Sequence, residues 1–466
     1  MAGFSIENFG CRAARADGEA IAGNLRALAE REPIAADIVI VNTCSVTAEA
    51  DRAARAFIRK AHRRNPAARI VVTGCYAQRA PQELAGMPGV AAVVGNSHKA
   101  LAPEIIFNLA QGPVATLPPS LVPVSSLFSG TAPHSAPVWA DDRFAHSFLE
   151  DLQLTPGAQT RPNLKIQEGC GNRCTFCVIP QTRGPSRSLP HAVVLRQVEE
   201  FVAAGGKELV LSGINLGRWG RDSSSGFGQD SLAKLVRDLI TQTSLPRLRL
   251  SSIEPMDWDS NLIDLLREFG HRRLARHAHL PLQSGSDAVL RRMHRRYRPW
   301  HYADKVSALF SAAGPDLTLG ADVMVGFPGE TDHEFEETLA YVRKMPFGYF
   351  HLFPFSPRPG TAGWALYQAS PVPQGAVDER MAALRAVAAE KILAHRSRFV
   401  GRDLAVITLH TPEAVGALDC TSALSENFLP INLDGHFPAN QLLDVRVAAL
   451  RSDGSLTCFP VGFPRH

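Results

Sequence analysis

The chain has 466 residues, of which 45% are hydrophobic and 20% charged, with a formal net charge of +4. This length exceeds one ordinary hydrophobic core, so we expect about two to four domains. No apolar run approaches the roughly 18 residues of a membrane-spanning helix, and the N-terminus does not resemble a secretory signal. Eight cysteines are too few for a disulfide scaffold in a chain of this size. We therefore expect a cytoplasmic, monomeric protein without membrane association, whose mild positive charge permits a nucleic-acid partner.

Near the N-terminus, three strand-like segments each lead into a cysteine. They are 4–10 before Cys11, 36–43 before Cys44 and 69–74 before Cys75. A helical stretch that opens near Thr47 and stops before Asn65-Pro66 lies between the last two segments. Alternating strands and helices predict an open parallel α/β sheet over residues 1–112, with a crevice at the carboxyl ends of its strands.

The three N-terminal cysteines have two readings. A single cysteine after a strand is commonly a buried apolar residue. Three cysteines at matching strand ends would meet in one crevice, which favours ligands of a metal cluster.

The segment 113–160 is rich in Pro, Ser and Ala and has no strong periodicity. We interpret it as a linker to a central domain of residues 161–392. Phe144, Phe148 and Leu149 are its candidates for docking on a neighbouring domain.

Cys170, Cys174 and Cys177 form a C-x-x-x-C-x-x-C loop directly after the strand-like segment 164–167. A loop this short can turn three thiolates toward one iron–sulfur cluster, with the flanking glycines allowing tight turns. Three ligands for four irons leave one iron open to a small molecule, which predicts a catalytic site. The alternative is structural zinc, which normally takes four ligands in paired C-x-x-C spacings; the sequence offers no fourth cysteine or histidine nearby.

Strand and helix patterns then alternate through the central domain. The candidate strands are 164–167, 208–212, 248–252, 279–282, 319–325 and 349–353. Helical segments such as 191–204 and 231–242 lie between them. Six βα repeats predict a partial, open TIM-type barrel with its site at the strand carboxyl ends.

Several residues at those strand ends are candidate ligand contacts. Ser212 and Gly213 follow the second strand, where small residues let a ligand approach the backbone, although such a glycine is often only a turn. Gln283 belongs to a polar Gln-Ser-Gly-Ser cluster that is expensive to bury without a partner; the alternative is that Ser286-Asp287 caps a helix. Asp322 stands in an otherwise apolar strand and also needs a partner.

Two basic clusters are candidate RNA contacts. One lies on the N-terminal helix (Arg52, Arg55, Arg59, Lys60, Arg63, Arg64), and the other comprises Arg291, Arg292, Arg295, Arg296 and Arg298 with Tyr297 and Trp300 nearby. Basic residues beside aromatic rings suit phosphates and splayed bases. A solvated charged face explains each cluster equally well.

Residues 393–466 change to short alternating segments separated by turns. The segments 404–409, 428–433 and 443–447 predict a small antiparallel β-barrel. Cys420 and Cys458 are read as ordinary barrel cysteines.

The loop 169–177 resembles the signature of the radical S-adenosylmethionine (SAM) enzymes. Its flanks, 165–170 and 183–188, are similar to the methylthiotransferase branch of that superfamily, as are 211–217, 280–286 and 320–331. The C-terminal segment resembles the TRAM module, an RNA-binding barrel found in many methylthiotransferases. The resemblance covers nearly the whole chain.

The resemblance implies two [4Fe–4S] clusters and SAM as cofactors. Cys170, Cys174 and Cys177 match the ligands of the cluster whose open iron binds SAM, and Cys11, Cys44 and Cys75 match those of an auxiliary cluster. Phe176 matches an aromatic residue that contacts the SAM adenine. Together with Phe176, the residues Ser212, Gly213, Gln283 and Asp322 are the expected cofactor contacts.

In this family, one-electron reduction of SAM by a partner such as flavodoxin or ferredoxin generates a 5′-deoxyadenosyl radical, and the auxiliary cluster supplies a methylated sulfur. The motif 183–188, with Asp17 and Glu19 after Cys11, looks most like the branch that adds a methylthio group to C2 of N6-threonylcarbamoyladenosine beside the anticodon of tRNA. The isopentenyladenosine branch and the ribosomal-protein aspartate branch share the architecture. A non-catalytic RNA-binding protein with structural metal sites is the alternative from another class.

Overall fold

The computed structural model describes residues 3–34, 37–112, 135–146, 160–222, 231–270, 272–413 and 419–461. Contacts divide the chain into two compact units. The first comprises Met1–Gln153, Glu168–Arg187 and Ser356–Thr361; the second comprises Leu154–Gln167, Ser188–Phe355 and Ala362–His466. Most of the predicted linker, including Phe148 and Leu149, lies outside the described residues.

The first unit contains a sheet of five parallel strands in the order β1-β2-β3-β4-β5. The described strands are β1 (Phe4–Asn8), β2 (Ile38–Thr43), β3 (Arg69–Gly74), β4 (Val90–Gly95) and β5 (Val138–Trp139). The three predicted strands and the open parallel sheet are confirmed. The short β5 lies inside the segment for which the sequence predicted no element.

Helices follow the strands of this sheet. The described α-helices of the first unit are Arg12–Arg31, Ala48–Arg64, Cys75–Arg79, Pro81–Ala85, Ala102–Gln111 and Ile179–Arg183, with a 3₁₀ segment at Asn96–Leu101. The helix predicted from Thr47 is confirmed: the Thr47 side chain accepts a hydrogen bond from the backbone N–H of Ala50 at 3.2 Å, and Asn65 ends the helix. Acidic residues in its first turn and basic residues in its last turn suit the helix dipole.

The core of the first unit lies between this sheet and its helices. β2 and β3 are almost entirely buried, as their β-branched runs predict for strands covered on both faces. Val41, Ile70 and Val72 pack with Ile58 of the helix Ala48–Arg64. This packing holds the carboxyl ends of the strands in register.

The second unit contains the predicted parallel strands of a partial barrel. The described strands are β6 (Asn163–Glu168), β8 (Glu208–Gly213), β9 (Arg247–Leu250), β10 (His277–His279), β11 (Thr318–Val325) and β12 (Phe347–Pro354), with a short strand β7 (Arg187–Ser188) at the edge. They form the sheets β7-β6-β8-β9 and β10-β11-β12. Parallel bridges between Leu248 and Leu274 and between Ser252 and His279 connect the two sheets.

Helices separate these strands. The described α-helices of the second unit are His191–Ala203, Leu232–Gln242, Ser260–Phe269, Asp287–Arg292, Pro299–Ala313, Asp332–Lys344, Ala362–Ala369 and Gln374–Ser397, with 3₁₀ segments at Leu216–Arg218 and Pro255–Asp257. The helices predicted at 191–204 and 231–242 are confirmed. Within the described ranges, no helix combines the length and apolarity required to cross a lipid bilayer.

The chain finishes with a closed barrel of strand order β13-β14-β15-β17-β16. Its described strands are β13 (Asp403–Thr408), β14 (Cys420–Ser425), β15 (Pro430–Asp434), β16 (Leu442–Leu450) and β17 (Leu456–Pro460). The predicted barrel is confirmed, although β15 and β17 pair in parallel. Cys420 and Cys458 are buried within it, and Cys458 belongs to its core.

Candidate metal and cofactor sites

The first site lies where β1, β2 and β3 end. The register pairs Asn8 with Asn42, and Thr43 with Gly74, so Cys11, Cys44 and Cys75 leave the same edge of the sheet. Burial, together with the neighbouring Cys75 and Cys11, raises the pKa of the Cys44 thiol to about 12. The structure therefore brings the N-terminal cysteines together.

Local backbone geometry makes this approach possible. Gly10 has φ +105°, and a Cβ at this position would collide with the side chain of Cys44. The backbone N–H of Val46 donates to Cys44 Sγ at 3.5 Å, and Asn96 Nδ2 donates to Cys75 Sγ at 3.4 Å. Such N–H···S bonds stabilise negative charge on sulfur. Cys44 and Cys75 are buried whereas Cys11 is exposed, so the site opens on the side of Cys11.

A buried network of charges lies beside these cysteines. Lys99 Nζ contacts Asp17 at 2.9 Å and Glu168 at 3.0 Å, and Arg183 Nη1 contacts the same carboxylates at 3.0 and 2.8 Å. All of these side chains are at most 2% exposed. Buried charges require such pairing because each loses its hydration.

Arg183 also has donors that face no acceptor among the described residues. Its Nε and Nη2 atoms are buried without a hydrogen-bond partner there. Burial alone would lower the pKa of Arg183, but the negative charges of Cys75, Glu168, Asp17 and Cys11 raise it well above its ordinary value. Buried donors beside thiolates fit an anionic, sulfur-rich cluster.

The second set of cysteines lies on the loop after β6. Gly169 has φ +72°, where a Cβ would collide with the carbonyl of Pro185. The backbone N–H of Cys170 donates to Gly184 O at 3.1 Å, and that of Asn172 donates to Cys170 Sγ at 3.4 Å. Cys170, Cys174 and Cys177 are all half-buried, as is Phe176. The loop therefore presents its thiols where a ligand can still reach them.

The remaining predicted contacts lie in the second unit. Ser212 and Gly213 end β8, and a Cβ on Gly213 would press against the side chain of Gln167. Gln283 follows β10 with φ +64°. Among the described residues, Ser212 Oγ and Gln283 Oε1 are buried without a hydrogen-bond partner. Unpaired buried polar atoms at strand carboxyl ends fit a polar ligand such as SAM.

Ser286 occupies the N-cap position that the sequence suggested as an alternative, but only its position fits a cap. The helix Asp287–Arg292 begins directly after it, but the Ser286 side chain makes no capping hydrogen bond. Asp322 lies in β11 between His279 and His351, at 3.2 and 3.0 Å from their ring nitrogens. The sequence did not identify these histidines as site residues, because two helices separate His279 from Asp322 along the chain and one helix separates Asp322 from His351.

The second basic cluster differs from the expectation. Tyr297 is 1% exposed and its hydroxyl donates to Pro281 O at 2.6 Å, so its ring is not available to bases. Arg292 is paired with Glu334, and Arg298 with Asp287. Trp300 is 52% exposed. Burial and ion pairing therefore argue against RNA contact for Arg292, Tyr297 and Arg298.

Sequence comparisons match two families along the chain. The Radical SAM superfamily matches residues 164–342, and Uncharacterized protein family UPF0004 matches residues 3–95. The "Threonylcarbamoyladenosine tRNA methylthiotransferase MtaB" of Bacillus subtilis is 35% identical over 87% of this chain and 85% of its own. The protein of the same name from Thermotoga maritima is 32% identical, over 97% of this chain and 96% of its own length. A "tRNA-2-methylthio-N(6)-dimethylallyladenosine synthase" from Erythrobacter litoralis is 33% identical, over 89% of this chain and 88% of its own length.

Among solved structures, the radical SAM methyltransferase TsrM from Kitasatospora setae aligns with a TM-score of 0.53 at 16% identity, covering 74% of this chain and 68% of its own. At that identity the likeness concerns the fold alone, and it agrees with the partial parallel barrel. The sequence matches extend over most of both chains. This chain therefore belongs to the radical SAM methylthiotransferase family.

Proposed function

We propose that this protein adds a methylthio group to C2 of N6-threonylcarbamoyladenosine in tRNA. The convergence of Cys11, Cys44 and Cys75 at one sheet edge supports this proposal, since sulfur insertion requires a second cluster besides the one that binds SAM. The relatives from Bacillus subtilis and Thermotoga maritima carry the name of this branch. The motif at residues 183–188 is also most similar to it.

Each cysteine set has a role in the proposal. Cys170, Cys174 and Cys177 hold the [4Fe–4S] cluster that binds SAM, and Cys11, Cys44 and Cys75 hold the auxiliary cluster. When bound, the clusters and SAM supply the radical that removes hydrogen from the substrate and the methylated sulfur that replaces it. Phe176, Ser212, Gly213, Gln283 and Asp322 remain the predicted contacts to SAM.

The protein's own side chains tune and shield these centres. Asn96 donates an N–H to sulfur on the buried side of the auxiliary site, and Arg183 places further buried donors and a positive charge beside the same cysteines. Hydrogen bonds and burial of this kind set the potential of an iron–sulfur cluster. The proposal includes a cytoplasmic monomer that receives electrons from a one-electron donor such as flavodoxin or ferredoxin.

Two cysteine variants test the division of roles. After anaerobic reconstitution, Cys174→Ala should abolish formation of 5′-deoxyadenosine. Cys44→Ala should preserve this cleavage of SAM but prevent methylthiolation of tRNA, because only the auxiliary cluster loses a ligand. Liquid chromatography with mass spectrometry measures both products. If the two variants exchanged their phenotypes, the cluster assignment would be wrong.

Nucleoside mass spectrometry of tRNA tests the substrate. A strain lacking the gene should lose the methylthio form of N6-threonylcarbamoyladenosine and regain it when the wild-type chain, but not the Cys44→Ala variant, is expressed. Loss of methylthio-isopentenyladenosine instead would assign the protein to that branch. Loss of a methylthio-aspartate from a ribosomal protein would assign it to the third branch.

A further inference from the structure

A group of side chains on one face of the sheet β10-β11-β12 is not required by the cysteine sites. The parallel register pairs His279 with Gly320 and Asp322 with His351. Because alternate residues of a strand share a face, Gly320 and Asp322 point to the same side of β11. His279, Asp322 and His351 thus come from neighbouring strands onto one face.

Their ligand atoms lie close together. Asp322 Oδ1 is 3.2 Å from His279 Nε2 and 3.0 Å from His351 Nδ1. Among the described residues, this is the group in which three ligand atoms all lie within 4.8 Å of one another. A tetrahedral zinc ion with bonds of about 2.0–2.2 Å separates its ligand atoms by roughly 3.3 Å. The two measured separations are close to that value.

His279 is the buried histidine of the group, and its Nε2 atom is not part of an aligned hydrogen bond. His279 is 6% exposed, and its Nε2 lies 3.2 Å from Asp322 Oδ1 at an angle that falls short of an aligned hydrogen bond. A simple His–Asp–His hydrogen-bond chain would align this contact, as buried polar atoms normally are. A buried ring nitrogen close to a carboxylate oxygen and to a second imidazole is placed where a histidine can ligate a cation.

The neighbouring residues hold the buried ring in place. Tyr349 stacks on His279 with ring centroids 5.7 Å apart, and it occupies the space that a side chain at Gly320 would need. The Tyr349 hydroxyl lies 2.7 Å from His277 Nε2. A ring fixed in this way presents its nitrogen in one orientation, which lowers the entropy cost of binding a metal.

The opposite side of the group is open. The His351 side chain is 60% exposed and that of Asp322 is 22% exposed, so an ion can enter and keep a water molecule or another ligand. Two imidazoles and one carboxylate with an open position are typical of zinc and of related divalent transition metals. Magnesium and calcium prefer sites made of oxygen atoms.

We propose that His279, Asp322 and His351 bind one divalent transition-metal ion, with zinc as the preferred occupant, separate from the two iron–sulfur clusters. The site is distinct from both cysteine sets and its existence does not depend on the tRNA substrate. Asp322 would then act as a metal ligand, in place of the predicted contact to SAM.

The test uses the full chain after anaerobic reconstitution of both clusters, so that the six cluster cysteines are occupied. Equilibrium dialysis against Zn²⁺, read by plasma mass spectrometry, should give one zinc per chain in addition to the cluster iron. His279→Gln and His351→Gln should each weaken zinc binding at least about tenfold. X-ray absorption at the zinc edge should show nitrogen and oxygen neighbours at about 2.0–2.1 Å.

His436→Gln provides a matched control, because His436 also lies beside a carboxylate, that of Asp419 at 2.9 Å, but on the exposed surface. This variant should bind zinc like the wild type. Iron content and circular dichroism verify that each variant is folded; His351 is exposed, so its replacement keeps the test valid if His279→Gln fails to fold. Zinc with sulfur neighbours at about 2.3 Å, affinity unchanged in His351→Gln, or no saturable binding would overturn the proposal.

Discussion

Arg183 shares two carboxylates with Lys99 in a region that water does not reach. Replacing Arg183 with Met would leave Asp17 and Glu168 with Lys99 as their remaining partner in this network. Removing one member of a buried ion pair typically costs about 3–5 kcal/mol. We therefore expect the variant to lower the protection of amides in β1–β3, measured by native-state hydrogen exchange on the reconstituted protein.

Arg52→Met is the control for this prediction. Arg52 pairs with Glu49 on the same helix, but their side chains are 67% and 72% exposed. Exposed pairs contribute little because water screens them, so exchange in β1–β3 should stay close to that of the wild type. Equal loss of protection in both variants would contradict the importance of burial.

His395 gives a prediction about pH. Its Nε2 lies 2.9 Å from Thr318 Oγ1, and burial, with the positive charges of Arg398 and Arg396, lowers its pKa to about 4. In the unfolded chain a histidine has a pKa of about 6.5. Between these two pH values the histidine of the unfolded state binds a proton, whereas His395 of the folded state stays neutral. Stability should therefore fall as the pH drops from about 6.5 to 4, by up to about 1.4 kcal/mol per pH unit from this residue.

His395→Gln should remove this contribution to the slope. The measurement is the midpoint of urea unfolding of the second unit, followed between pH 7 and about 4 for the wild type and the variant. A variant whose slope equals that of the wild type would show that His395 does not stay neutral in the folded protein.

The first basic cluster lies on the helix Ala48–Arg64. Arg59, Lys60, Arg63 and Arg64 are exposed, and none has a carboxylate within salt-bridge distance among the described residues. Arg55 instead bonds to Tyr76 and Glu83. The exposed residues on this helix are thus the better candidates for contact with tRNA phosphates.

Reversing charge on this helix tests that role. Arg59→Glu combined with Arg63→Glu should weaken tRNA binding by at least about tenfold and reduce the dependence of affinity on salt, because each lost phosphate contact removes about one released counterion. Fluorescence anisotropy at several salt concentrations measures both quantities. Arg267→Glu, which alters an exposed residue paired with Asp264 on another helix, should have a much smaller effect.

Strands and cysteines of the first unit could be predicted from the sequence, whereas contacts between distant residues could not. β2 and β3 were predictable because their β-branched runs are buried on both faces, and the cysteines follow each strand directly. The network around Arg183 was not, because its members are separated by up to 166 residues and meet only through the strand order. The two-residue β5 was too short to produce a pattern. His351 was missed since its partner Asp322 lies on a neighbouring strand.

At the scale of the whole chain, the C-terminal barrel and the sheet β10-β11-β12 belong to one compact unit. Phe428 of the barrel packs against His277 and Tyr349, with ring centroids 4.3 and 5.0 Å away. Arg276 Nε donates to Glu426 Oε1 at 2.8 Å, and Asn427 Nδ2 donates to Asp316 O at 3.0 Å. The barrel is therefore fixed to the sheet β10-β11-β12 and its flanking loops by contacts between aromatic rings and by partly buried polar bonds.

Glu426→Ala should loosen this attachment. Arg276, whose side chain is 21% exposed, would keep Asp316 at 3.2 Å but lose its hydrogen bonds to Glu426, and losing a partly buried, charge-assisted hydrogen bond costs about 1–3 kcal/mol. We expect faster hydrogen exchange at β13–β17 and weaker tRNA binding, with SAM cleavage unchanged, since the cysteine loop lies in the other unit. Asp403→Ala is the control, because Asp403 pairs with Arg446 within the barrel and both side chains are about half exposed. This variant should change neither the hydrogen exchange of the barrel nor tRNA binding. If both variants loosened the barrel equally, its attachment would depend on overall charge and not on the Arg276–Glu426 contact.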